Sequence, residues 1–178
     1  MSRIYFATDI HGSEICFKKF LKAGDFYEAD TVILGGDMTG KALVPIVHLR
    51  NSTYKATLLE QDFILETEAE IALMEKRIKS RGYYPFRTTP EEIAEYAADP
   101  KKLDAFFHKT MLSVCSTWMQ MADEKLEGTG IRCFVCPGND DSHDIDSIIA
   151  TAKYVECAEG RIIELENGFS LISTGWTN

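Results

Sequence analysis

Three short apolar runs in this chain each end in a cluster of polar, metal-competent side chains. No other feature restricts the fold as strongly. Ile4-Tyr5-Phe6-Ala7 runs into Thr8-Asp9-Ile10-His11-Gly12, and Thr31-Val32-Ile33-Leu34 runs into Gly35-Gly36-Asp37. The run from Ile131 to Cys136 leads into Pro137-Gly138-Asn139-Asp140-Asp141. Between the first two runs, Ser13 opens a helical pattern with Ile15, Phe17, Phe20 and Leu21 on its buried side, and Ala23-Gly24 is its expected end. Strand, helix and strand within about thirty residues form a βαβ unit, hence a parallel pair. The expected class is therefore α/β, a sheet with flanking helices. In open sheets of this class, ligands collect beyond the carboxyl ends of the strands, where all three clusters fall.

The stretch between the second and third runs has a different pattern. From about Ser52 to Ser80 it reads as a helix, with Ile64, Ile71, Met74 and Ile78 on one stripe. Thr89-Pro90-Glu91-Glu92 is a helix start, with a capping residue, proline in the first turn and acids facing the dipole. Asp99-Pro100 restarts the helix, whose stripe of Leu103, Phe107, Met111, Val114, Trp118 and Met121 approaches heptad spacing. The expectation is a single domain over 1–178 that carries an inserted long helical hairpin over 50–128. Further on, a short helix is expected around Asp144 to Ala150. Asn167-Gly168 then marks a hairpin between two short strands.

Composition narrows the function. The chain has 178 residues, with 19 Lys and Arg against 28 Asp and Glu, a net charge of -9. A binder of long nucleic acid needs positive charge to neutralise phosphates, so no specific nucleic-acid partner is expected. No run approaches the roughly 20 apolar residues of a membrane span, and Asp9 and His11 interrupt the only apolar run near the N-terminus. A cytoplasmic protein without a membrane partner is expected. The five cysteines are odd in number and scattered, which suits that compartment. Cys133 and Cys136 spell Cys-x-x-Cys, but on a strand their side chains point to opposite faces, so they read as small core residues.

Aspartate, histidine and asparagine ligands suit Mn, Fe or Zn better than a thiolate metal or calcium. A central carboxylate such as Asp37 can bridge two ions about 3.5–4 Å apart, an arrangement that suits phosphoester hydrolysis. Asp9-x-His11, Gly36-Asp37-x-x-Gly40 and Gly138-Asn139-Asp140-Asp141 together resemble the calcineurin-like metallophosphoesterase superfamily.

The resemblance implies a site for two divalent metal ions. Asp9 and His11 would hold the first, Asp37 would bridge both, and Asn139 would hold the second and meet the substrate. Asp140 and Asp141 are the expected catalytic residues. Asp140 occupies the position where the family often has a proton-donating His, and it can do that work only with a raised pKa. Asp141 falls where the family places an acid that orients its neighbours. His48 and His143 are further candidate ligands. The family pattern continues with a single His and then Gly-His-x-His, whereas the last histidine here is His143. A metallophosphoesterase-like sheet, incomplete at its C-terminal side, is thus expected, with impaired hydrolysis of a small phosphoester. A homo-oligomer or a complementary C-terminal polypeptide would complete it. The alternative is a non-catalytic scaffold, or a subunit of a split enzyme, whose helical hairpin mediates assembly.

Overall fold

A computed structural model of the chain describes residues 2–50 and 52–175, and the Asn167 side chain lies outside the described part. The chain divides into two compact units. No helix among the described residues is long and apolar enough to cross a membrane.

The first unit is built on a parallel sheet of four strands: β1 (Ile4–Ala7), β2 (Thr31–Leu34), β7 (Arg132–Val135) and β8 (Val155–Cys157), in that order. Ile4, Thr31 and Arg132 stand in register, as do Ala7, Leu34 and Val135, so the first three strands end level. All four residues of β2 are buried, as a central strand covered on both faces requires. Helix α1 (Glu14–Tyr27) joins β1 to β2 and buries Phe17, Phe20 and Leu21, while Ile15 stays exposed. The expected stop at Ala23-Gly24 does not occur. Gly24 lies within the helix, close to Ile131, where a Cβ would meet the Ile131 side chain at 2.6 Å. The glycine permits a close approach instead of ending the helix.

Beyond β7 comes the short helix α5 (Ile145–Ile149), and after β8 the antiparallel ribbon of β9 (Ile162–Glu164) and β10 (Ser170–Ile172). The expected hairpin forms there, turned by a 3-10 segment, Glu166–Gly168. Ile163, Leu165 and Leu171 of this region pack on Ile33, Phe134, Cys136 and Ala158. Cys133 and Cys136 are both buried and free, as small core residues should be.

The second unit overturns the expected helical hairpin over 50–128. Its core is a sheet in the order β5-β4-β3-β6, with β3 (Leu43–His48), β4 (Tyr54–Leu58), β5 (Gln61–Leu65) and β6 (Tyr84–Thr88). The first three pair antiparallel, and β6 lies parallel to β3. The helical segment α2 (Glu68–Ser80) is shorter than expected and starts at a Thr67–Glu70 capping box. Ile71, Met74 and Ile78 pack on Val44, Ile46, Ala56, Leu58 and Leu65, whereas Ile64 belongs to β5 and is exposed. Helix α3 (Pro90–Ala98) begins at the expected cap, with Thr89 and Glu92 bonded reciprocally.

The long helix α4 (Pro100–Leu126) contributes its residues up to Met111 to the second unit and those from Leu112 to the first. Its buried residues are Met111, Cys115, Trp118, Met119, Ala122 and Leu126, and Val114 and Met121 are only half-buried. The seam is therefore rotated from the expected one. The small residues Cys115 and Ala122 occupy it because they fit where packing is tight.

Candidate metal centre

The polar clusters after β1, β2 and β7 all lie in the first unit, and the backbone draws their loops together. Hydrogen bonding between the first two continues past the strands: Gly35 N–H donates to the Ala7 carbonyl at 2.7 Å, Asp9 N–H to Gly36 at 3.1 Å and His11 N–H to Asp37 at 2.8 Å. To make these bonds, Asp9, His11 and Asp37 adopt left-handed conformations, with φ of 55°, 42° and 46°. Such conformations are uncommon for residues other than glycine, although Asp and His tolerate them best, and they gather at functional sites.

One donor atom from each of Asp9, His11 and Asp37 lies within 4.8 Å of the other two. Ligands on a single ion at about 2.0–2.2 Å lie roughly 3–3.6 Å apart at tetrahedral angles, so the three side chains can share an ion after modest rotamer movement. His11 Nε2 stands 3.7 Å from Asp9 Oδ1, and the Thr8 hydroxyl donates to Asp9 Oδ2 at 2.7 Å. The buried Nδ1 of His11 has no hydrogen-bond partner.

The β7 loop reaches this cluster through backbone. Asp140 N–H donates to Asp37 Oδ1 at 3.1 Å. A Cβ on Gly138 would lie 2.2 Å from that same oxygen, so only glycine lets Asp37 sit here. Gly36, at φ 124°, passes Gly138 so closely that its Cβ would stand 3.2 Å from the Gly138 Cα. Asn139 is exposed between Gly138 and Asp140, the two residues that touch Asp37. Asp37 thus faces the Asp9 and His11 side and the β7 side at once.

Asp141 is buried, and four donors saturate its carboxylate. Oδ1 accepts from the Thr39 N–H at 2.8 Å and hydroxyl at 2.7 Å, and Oδ2 from Met38 N–H at 3.1 Å and Gly138 N–H at 2.9 Å. It ties the β2 loop to the β7 loop. Thr39, its main partner, carries no sequence signal of its own. Asp140 is exposed, with its Oδ1 3.4 Å from Asn139 Nδ2.

Neither of the other candidate histidines, His48 and His143, belongs to the cluster. His48 closes β3, where its ring lies 4.8 Å from that of its cross-strand neighbour Tyr54. His143 is exposed next to α5, and its charge opposes the upward shift that burial imposes on the Asp146 carboxyl.

No family model matches the chain, and searches of curated proteins and of solved structures return no significant match.

Proposed function

We propose that this protein is a metal-dependent phosphoesterase of the calcineurin-like type, acting on a small phosphoester. The observation that carries this reading is the convergence of Asp9, His11 and Asp37 donor atoms within 4.8 Å, on left-handed turns beyond parallel strands. The donor set fits divalent Mn, Fe or Zn. The unpartnered buried His11 Nδ1 adds to that fit.

Asp9 and His11 would hold one ion, Asn139 a second, and Asp37 both, since it alone faces both loops. Two bound divalent ions supply Lewis-acid activation of the phosphoester and of water. The chain's own residues do the positioning. Asp140 fixes Asp37 through its backbone N–H, and Asp141 locks the Met38-Thr39 turn to Gly138. Asn139 is exposed to meet a phosphoryl oxygen, and Asp140, exposed as well, lacks the burial that would raise its pKa for the proton donor's role.

The test is hydrolysis of p-nitrophenyl phosphate and its bis ester with added Mn²⁺. Slow turnover that EDTA abolishes and Asp37→Asn lowers at least about a hundredfold is expected, since misplacing reacting groups by about 1 Å costs that much. Turnover indifferent to Asp37 would contradict the assignment. Tight metal binding without any turnover would favour a non-catalytic scaffold.

A further inference from the structure

Between the β4–β5 hairpin and helix α2 lies a cavity of about 470 Å³, none of whose lining residues belongs to the metal centre. The hairpin supplies Leu58 and Phe63, on the sheet face that α2 covers, and Leu59 at its turn. Helix α2 supplies Leu73, Lys76 and Arg77, spaced three and four apart and so on one flank, beside the buried stripe of Ile71, Met74 and Ile78. Its C-cap residue, Arg81, adds a third base to the lining.

These bases are uncompensated. Elsewhere in the second unit bases meet acids: Lys55 binds Asp62 at 2.7 Å, and Arg87 binds both Glu68 and Glu75. Among the described residues, Lys76, Arg77 and Arg81 make no ion pair, and no carboxylate lines the cavity. Arg77 and Arg81 stand four residues apart, a spacing at which like charges repel. The Arg77 guanidinium lies over the Phe63 ring, 4.9 Å from its centroid, which steadies the group and leaves its in-plane donors free. In a chain with 28 acids to 19 bases, three unpaired bases around one cavity mark a place for negative charge.

The remaining wall is apolar. Leu59 and Leu73 stay 56% and 59% exposed, and both line the cavity. The α2 dipole favours bases in its last turn, but it does not account for leucines left open beside them. The volume falls within the range of about 300–1,000 Å³ of small-molecule sites. A cationic wall and an apolar wall in one cavity match a ligand with both characters, and three positive charges suit a doubly negative head.

We propose that this cavity binds a small amphiphile, an alkyl chain carrying a dianionic head, with the head at Lys76, Arg77 and Arg81 and the chain along Leu58, Leu59 and Leu73. The site is independent of the phosphoesterase reading.

Titration calorimetry tests it on the full chain, in EDTA, which keeps metal ions from competing for the probe. The probe is octylphosphonate at mildly alkaline pH, where its head is a dianion. Methylphosphonate offers the head without the chain, and octyl glucoside the chain without charge. One-to-one binding of octylphosphonate is expected, at least about tenfold tighter than that of either control. Joint Lys76→Gln and Arg81→Gln substitution should weaken octylphosphonate at least about tenfold and leave octyl glucoside unchanged. Leu73→Gln should weaken octylphosphonate and leave methylphosphonate unchanged. All three side chains are exposed, so the variants should fold, as circular dichroism will check. Octylphosphonate binding no tighter than that of methylphosphonate, or indifferent to the loss of both bases, would overturn the proposal. Binding to phosphatidylglycerol vesicles but not to free octylphosphonate would make this face a membrane-docking surface, and would also overturn it.

Discussion

Asp141 holds Thr39 twice through one oxygen, accepting from its N–H at 2.8 Å and from its hydroxyl at 2.7 Å. The other oxygen takes the N–H groups of Met38 and Gly138. Asp141→Asn keeps the shape but turns an amide donor toward donors already there. A loss of about 2–3 kcal/mol is expected, because buried hydrogen bonds to a charged group are lost and donors are left unpaired. Urea denaturation of both proteins measures it. An unchanged midpoint would show that the carboxylate does not hold the loops.

Gly138 also bears on Asp37 through space. In Gly138→Ala the new methyl would begin 2.2 Å from Asp37 Oδ1, so the carboxylate must move. Metal affinity should fall by about 10–100-fold, the usual cost of disturbing the groups that orient a ligand. Titration calorimetry with Mn²⁺ reports this directly, and an unaltered affinity would remove Asp37 from the ligand set.

Trp118 is buried and stacks on Phe17, with centroids 4.4 Å apart and planes 8° from parallel. Trp118→Ala should cost on the order of 3–5 kcal/mol. Calorimetric unfolding checks it. An unchanged melting temperature would show that α4 does not pack on α1 through this pair.

Burial pushes the Cys115 and Cys133 thiols up to about 12, and the neighbouring Asp141 charge adds to the effect at Cys115. Their folded pKa values exceed those of the unfolded chain, near 8.5, so the folded state keeps protons that the unfolded state releases. Their contribution is whole below about pH 8.5 and is lost as pH rises towards 12. Urea midpoints should therefore fall between pH 8 and 10.5, and less steeply in Cys133→Ala than in the parent. At pH 8, a disulfide reagent should modify the exposed Cys16 without denaturant, whereas Cys115 and Cys133 should react only on unfolding.

The convergence of Asp9, His11 and Asp37 could be read from sequence because each of its parts is local. An apolar run leading into Asp-x-His or Gly-Gly-Asp shows strand and site together, and the parallel register aligns the strand ends without further instruction. The second sheet was hidden for equally local reasons. Its β4–β5 hairpin turns at Leu59-Glu60, where φ is 51° and 64°, positions at which Asn-Gly would ordinarily give the signal. Pro85 in β6 reads as a strand breaker, yet β6 lies at the sheet edge, where a missing N–H is tolerated. Ile64 completed a helical stripe by chance of spacing with Ile71, Met74 and Ile78. The Asp141–Thr39 clamp joins residues 102 positions apart, and no local pattern announces it.

The most direct test of the metal centre compares ligand losses. The parent, Asp37→Ala and Asn139→Ala are loaded with Mn²⁺, passed through gel filtration and analysed for bound metal. Asp37 faces both loops, whereas Asn139 offers one neutral oxygen. Asp37→Ala should therefore retain the least metal, Asn139→Ala an intermediate amount and the parent the most. Equal retention by Asp37→Ala and the parent would contradict the assignment of this site.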